Sequence, residues 1–249
     1  MIPLVEHFFS IQGEGRYVGT PSIFFRFGGC NLRCPGFGRY EIGGETVEGC
    51  DTIRAVDAAR FRDRWRNIGS AAELTAIVAE YLEGLAYRPD VVITGGEPML
   101  YRHDPIFYGF VAGLVRDGFR VTIETNATLA PDFDRYRAYG EVVFAMAVKL
   151  ANSGEPMERR IVDSAIVQLA TRGRDSFFKF TVDPADATAA EEIEAIREGY
   201  GNDVYCMPLG CDEETLRRNA PGVVELCMKR GYIYSDRLHV RLWNREEGR

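Results

Sequence analysis

Val91-Val92-Ile93-Thr94-Gly95-Gly96-Glu97-Pro98-Met99-Leu100 is the stretch whose reading decides the fold. Three β-branched apolar residues in a row read as a strand buried on both faces, and Gly95-Gly96 with Pro98 ends it. Before it, Ala71–Leu85 places Leu74, Ile77, Val78, Tyr81 and Leu82 on one helical stripe. After it, an amphipathic stretch at Pro105–Asp117 leads to a second short apolar run, Arg120–Glu124. The rhythm continues through strand-like runs at Val142–Ala147, Phe177–Val182, Val204–Pro208 and Arg237–Leu242. Helical stretches at Ala187–Glu198 and Glu213–Arg230 lie among them, and an earlier strand at Ser22–Phe27 is expected to join the same sheet. Apolar strands divided by helices argue for an α/β fold of mainly parallel strands covered by helices, as in barrels and doubly wound sheets.

The bulk numbers fit one packed unit. The chain has 249 residues, 46% of them hydrophobic, with 30 basic against 37 acidic residues and a formal net charge of −7. That balance excludes general disorder and supplies no basic footprint for nucleic acid. No apolar run approaches the roughly 20 residues of a membrane span, and Met1–Glu6 carries no signal-peptide pattern. A cytoplasmic protein with reduced thiols is expected. Without an internal repeat or linker, residues 1–249 read as a single domain.

Sulfur is the anomaly: six cysteines against three histidines, His7, His103 and His239. So few histidines argue against a mononuclear zinc enzyme. Cys206, Cys211 and Cys227 are scattered near the end, the first on an apolar strand and the last on a helical face, as buried free thiols often are. Cys30, Cys34 and Cys50 cluster instead within a glycine-rich segment, about 28–69, that breaks the strand–helix rhythm. A loop this long is usually functional or disordered, and its cysteines favour function. Three thiolates can hold three irons of a cubane cluster and leave the fourth open, though the spacing alone also allows unligated thiols. Arg60, Arg62, Arg64 and Arg66 read as a solvated face or a subunit contact. His103 is expected to face solvent and His239 to be a core residue of the last strand; no histidine is assigned catalysis.

Taken together, Ser10-Ile11-Gln12-Gly13-Glu14-Gly15, Arg26-Phe27-Gly28-Gly29-Cys30-Asn31-Leu32, Cys50-Asp51-Thr52, Thr94–Leu100 and Glu124-Thr125-Asn126 resemble the 7-carboxy-7-deazaguanine synthase family of radical S-adenosylmethionine enzymes. The similarity runs from Glu6 to about Leu242. It implies a partial (incomplete) β/α barrel of radical-SAM type with a cluster-binding loop at about 28–69. The implied enzyme is a carbon–nitrogen lyase that converts 6-carboxy-5,6,7,8-tetrahydropterin to 7-carboxy-7-deazaguanine and ammonia in 7-deazapurine (queuosine-type) biosynthesis. The implied cofactors are a 4Fe–4S cluster on Cys30, Cys34 and Cys50, S-adenosyl-L-methionine, and Mg²⁺ with Thr52 as its protein ligand. By the same resemblance, Gly49, Asp51, Gly95, Gly96, Glu97, Lys149, Met207 and Pro208 contact S-adenosylmethionine. Glu97 either accepts from its ammonium or holds the loop, and the bare Gly95 and Gly96 let backbone approach its amine. Ile11, Gln12, Gly13, Glu14, Arg26 and Thr94 contact the pterin: carboxylate and amide groups suit its N–H edge, and an arginine fork suits its carboxylate. An electron donor such as flavodoxin or ferredoxin and a homodimer are implied partners.

The chain departs from the family in several places. Phe37 stands where most radical enzymes of this kind carry the third cysteine, giving C-x₃-C-x₁₅-C. Ala147-Val148-Lys149 replaces Ser-Pro-Lys, Met207-Pro208 replaces Gln-Pro, and the tail from His239 lacks Thr-His-Lys. Three other readings stay open at this point. One is a radical enzyme with another substrate, such as a glycyl-radical activase; another is a non-catalytic zinc-binding module. The third is local, a mutual surface ion pair between Arg26 and Glu14 in place of substrate contacts.

Overall fold

The computed structural model describes residues 1–244, 246 and 248. In chain order its elements are β1 (Ile2–Ile11), β2 (Pro21–Phe27), β3 (Arg39–Ile42), β4 (Glu45–Glu48), α1 (Ile53–Val56), α2 (Ala58–Phe61) and β5 (Arg66–Ile68). Then follow α3 (Ala71–Leu82), β6 (Asp90–Gly95), α4 (Pro105–Arg116), β7 (Val121–Thr125), β8 (Val143–Met146), α5 (Met157–Arg160) and α6 (Asp163–Arg172). The last are β9 (Phe177–Val182), α7 (Ala189–Arg197), β10 (Val204–Pro208), α8 (Glu213–Arg230), β11 (Ile233–Tyr234) and α9 (Leu238–Trp243).

Nine strands form one sheet in the order β11-β10-β9-β8-β7-β6-β2-β1-β5, and β3 pairs with β4 in a separate hairpin. From β2 to β11 every neighbour is parallel, while β1 and β5 run antiparallel at the other end. Helix starts follow the local chemistry. Ser70 caps α3 by accepting from the Glu73 N–H, while the Glu73 carboxylate accepts in return from the Gly69 N–H. Asp104 caps α4 ahead of Pro105, and Asp212 caps α8.

Alternation along the strands separates a helix face from a site face. Ile23, Phe25 and Phe27 of β2, Val91 and Ile93 of β6, and Phe178 and Phe180 of β9 belong to the buried core. There Phe107 meets Phe27 and Phe110 meets Phe25 edge-on, with centroids 5.3 and 4.9 Å apart. Each such contact adds about 0.5–1.5 kcal/mol beyond area burial. The opposite face, in register, carries Arg26 beside Thr94, and Glu124 and Lys179 on strands further along. These polar groups sit toward the carboxyl ends of β2, β6 and β7, where parallel α/β sheets place their ligands.

Two expectations are corrected. Arg237–Leu242 is not a sheet strand: α9 occupies Leu238–Trp243 with Arg237 as its cap, so His239 is helical. Alternating Leu238, Val240 and Leu242 mimic a strand, but β11 already takes the sheet position beside β10, and Leu242 is exposed. The segment 28–69 is likewise less of a loop than expected, holding the β3–β4 hairpin, α1, α2 and β5. The long strand β1 has no clean two-residue period in sequence because its register shifts between Leu4 and Glu6. No described helix is long and apolar enough to cross a membrane.

Candidate active site

A charge network, buried around Glu14 and Lys179 and open at Asp51, occupies the site face. Lys179, only 3% exposed, donates to Glu14 Oε2 (2.8 Å) and Glu124 Oε1 (3.0 Å). Arg237 donates through Nε to Glu14 Oε1 (2.8 Å), through Nη2 to Asp51 Oδ2 (2.5 Å) and through Nη1 to the Gly210 carbonyl. Gln12 donates to Glu124 (3.3 Å) and accepts from the Glu14 N–H, and Thr94 donates to Glu124 Oε2 (3.3 Å). Three carboxylates thus share two cations. Desolvation alone would raise the Glu14 carboxyl, but Lys179 and Arg237 outweigh it and hold Glu14 well below the usual carboxylate range. Burial likewise opposes the charge on Lys179, and Glu124 with Glu14 more than restores it, so the ammonium persists beyond the ordinary lysine range.

His239 from α9 comes within 4.0 Å of Glu14, and a Cβ on Gly13 would meet its Nδ1 at 2.0 Å, so Gly13 leaves room for the ring. Burial lowers the His239 pKa, which keeps the imidazole neutral near pH 7. Arg26 pairs with Glu6 (2.7 Å) on the neighbouring strand, so the proposed Arg26–Glu14 ion pair is replaced by two separate sets of partners.

A second layer joins the glycine-rich turn to the cysteine loop. The Gly96 N–H donates to the Phe27 carbonyl and the Glu97 N–H to the Gly29 carbonyl. A Cβ at Gly95 (φ +144°) would lie 2.0 Å from the Phe27 oxygen, and one at Gly96 2.2 Å from the Gly29 oxygen. The missing side chains therefore admit the chain's own β2 end first. Glu97 is fully buried and accepts from the Met99 N–H, the Thr125 hydroxyl and the Asn126 N–H. Through these bonds the Glu97 carboxylate ties the glycine-rich turn to the end of β7. Asn126 in turn donates to Asn31 Oδ1 (2.9 Å) beside Cys30.

The three cysteines sit close enough to perturb one another. Burial pushes the Cys30 thiol up to about 12 and the Cys34 thiol to about 11, and each feels the negative charge of its neighbours. Burial also raises Cys50, whose sulfur lies 3.1 Å from the Thr52 hydroxyl. Lys149 opposes these shifts at Cys34 and Cys50 and lies over the Phe37 ring (5.6 Å).

Comparison with known proteins decides the family. No protein-family model matches the chain. The 7-carboxy-7-deazaguanine synthase of Halobacterium salinarum is 32% identical over 98% of this chain and 91% of its own, and that of Hyperthermus butylicus 34% over 96% and 92%. The chain belongs to the 7-carboxy-7-deazaguanine synthase family. Its fold superimposes on the crystal structure of QueE from Escherichia coli with a TM-score of 0.65 at 23% identity, covering 96% of this chain and 94% of that one. The chain is accordingly a catalytic enzyme of the radical S-adenosylmethionine superfamily.

Within this synthase-family chain, Arg26 of β2 and Thr94 of β6 stand on the site face with Gln12 and Glu14, which follow Ile11, the last residue of β1, in a turn that includes Gly13. Gly49 and Asp51 flank Cys50, Lys149 follows β8, and buried Met207 and Pro208 close β10. Sequence reasoning assigned no role to Lys179, Glu124, Asn126 or Arg237. A lone lysine inside Phe177-Phe178-Lys179-Phe180 is a signal that was present, because a charge in a buried strand needs a partner. Arg237 carried no such signal, since its segment read as a strand.

The donor set can be tested against an iron–sulfur cluster. Among the described residues no three His, Cys, Asp or Glu side chains surround one point closely enough for a single metal ion. A cubane places each thiolate on a different iron, farther apart than the ligands of one ion, so three thiols in one segment, Cys34 buried and Cys30 and Cys50 partly so, fit it in kind and number. Their raised pKa values describe neutral thiols, which a bound cluster would deprotonate.

Proposed function

We propose that the chain converts 6-carboxy-5,6,7,8-tetrahydropterin to 7-carboxy-7-deazaguanine and ammonia, with Cys30, Cys34 and Cys50 holding a 4Fe–4S cluster. The observation carrying this reading is Arg237, which ties Glu14 of the substrate-type motif to Asp51 beside Cys50. Substrate set and cysteine loop therefore meet at one place. When bound, the cluster supplies the electron that releases a 5′-deoxyadenosyl radical from S-adenosylmethionine.

The protein's part is to bind, orient and exclude water. Gln12 and Glu14 present an amide and a carboxylate to the pterin N–H edge, and Glu14 stays ionised for that purpose. Ile11 ends β1, and Gly13 lies in the turn that carries them. Arg26 and Thr94 lie side by side for the substrate carboxylate, which Mg²⁺ on Thr52 would orient. Lys149, Gly49, Asp51, Gly95, Gly96, Glu97, Met207 and Pro208 form the S-adenosylmethionine side. Reaction atoms balance without an oxidant, since the product plus ammonia equals the substrate. A flavodoxin- or ferredoxin-type electron donor and a homodimer complete the reading.

The test is anaerobic reconstitution, reduction, and incubation with S-adenosylmethionine and the carboxytetrahydropterin, followed by mass spectrometry. Formation of the deazapurine with ammonia is expected. Cleavage of S-adenosylmethionine without that product refutes the substrate assignment, and a colourless zinc-loaded protein refutes the cluster.

A further inference from the structure

Glu155 lies outside every set assigned above, yet it holds the cysteine loop from below. It is buried (6% exposed), and its Oε1 accepts both the Arg33 N–H and the Cys34 N–H, the latter at 2.9 Å. Its Oε2 is buried without a hydrogen bond and stands 3.3 Å from Nη1 of Arg159, four residues on. Arg159 then donates through Nη2 to the Asn31 carbonyl (2.6 Å). Two side chains four residues apart thus grip the backbone of Asn31, Arg33 and Cys34, three of the five residues in Cys30-Asn31-Leu32-Arg33-Cys34.

The grip is anchored. Glu155 accepts through its own carbonyl from buried Arg160 (3.2 Å), which also donates to the Lys149 carbonyl (2.8 Å) and pairs with Glu192. Glu192 accepts from the Ala151 N–H (2.8 Å), and Ser153 Oγ accepts from the Glu155 N–H. The two loops also pack without clearance: a Cβ on Gly36 would meet the Asn152 oxygen at 2.2 Å.

Two consequences follow for Cys34. It has a left-handed backbone (φ 50°), which an L-residue adopts at a cost unless surrounding bonds hold it. Adjacent N–H groups converging on one carboxylate supply that hold, as in an anion-binding nest. Those N–H groups are also spent. Donors to cluster sulfurs raise a cluster's potential and nearby negative charge lowers it. Here two candidate donors bind a carboxylate, and the carboxylate itself lies beside the ligand.

We propose that Glu155 is a positioning residue for the cluster, holding Cys34 in its ligating conformation while keeping the cluster's reduction potential low. This rests on the cluster reading of Cys30, Cys34 and Cys50. The test compares anaerobically reconstituted wild-type, Glu155→Ala and Glu155→Gln chains by iron and sulfide content and by a redox titration followed by electron paramagnetic resonance. Removal of a residue that supports a metal ligand typically weakens metal affinity about 10–100-fold, so Glu155→Ala is expected to lose half or more of its iron. Glu155→Gln keeps an oxygen acceptor but not the charge, so it is expected to load fully with its potential shifted upward.

Should Glu155→Ala fail to fold, the potential of Glu155→Gln still decides. An unchanged potential in Glu155→Gln, or full loading in a folded Glu155→Ala, overturns the inference while leaving the cluster intact. A wild-type chain that takes up no iron overturns the cluster reading, and this inference with it.

Discussion

Lys179 is the residue on which the site's charge balance turns. Among the described residues it is the one cation shared by Glu14 and Glu124, and water cannot replace it because its side chain is 4% exposed. Removing one partner of a buried ion pair typically costs about 3–5 kcal/mol, since the survivor is left uncompensated. Glu14 keeps Arg237 and Glu124 is 19% exposed, which sets Lys179→Met near the low end, about 3 kcal/mol. A urea midpoint measures this, and Lys179→Met combined with Glu124→Gln is expected to recover part of the loss. An unchanged midpoint in Lys179→Met would show that the network carries no stability. Such residues were only half legible in sequence. The strand around Lys179 was evident from its phenylalanines, but which carboxylates would reach it depended on strand order, and Glu14 and Glu124 are 165 and 55 residues away.

At the scale of elements, the parallel strands β2 and β6 to β10 and the helices α3, α4, α7 and α8 could be read directly, because apolar period is a local property, whereas α6 and β11 went unread. The departures came where tertiary structure overrode that signal. α9 carries a two-residue apolar alternation but turns helical, with the Leu238 N–H donating to the Gly13 carbonyl (2.9 Å). The insertion between Cys34 and Cys50 read as loop, yet it holds the β3–β4 hairpin turning at Gly43-Gly44. Its ends meet: the Gly49 N–H donates to the Gly38 carbonyl at 3.1 Å. Most of the hairpin is exposed, Val47 being its buried residue. Deleting residues 39–48 and joining Gly38 to Gly49 is therefore expected to leave iron uptake intact and to lower Tm by no more than about 5 °C. Loss of iron in a folded deletion variant would assign the hairpin to the cluster site itself. Gly96→Ala should behave oppositely. Its Cβ would strike the Gly29 carbonyl and crowd Cys30 at 3.0 Å, both backbone-fixed, so iron uptake is expected to fall sharply. Iron analysis of the two variants side by side separates the hinge of the site from its ornament.

At the scale of the molecule, the network joins segments from both ends of the chain, Glu14 near the start with Arg237 near the end, through strands between them. Opening it therefore separates the terminal elements, so its pH dependence should appear in global stability. Glu14 has a folded pKa well below its unfolded value of about 4.3. Its contribution is present above that unfolded value and is lost as pH falls through the folded one. Lys179 is raised above its unfolded value of about 10.4, so its contribution is complete below that pH and is lost only as pH rises through its folded value. Between the two limits the network's contribution is flat. Glu14→Gln lacks the acid limb, because an amide cannot protonate there, while Lys179 keeps Glu124 and Arg237 keeps Asp51. Wild type should therefore exceed Glu14→Gln in stability at pH 7, and the gap should close as pH falls below about 4, where the unfolded wild-type chain takes up a proton that the folded one still excludes. Urea midpoints of both proteins at pH 7, 5 and 3.5 read this difference. A gap that holds constant down to the acid limit would mean that Glu14 titrates alike in folded and unfolded chains, and that Lys179 and Arg237 do not hold its charge.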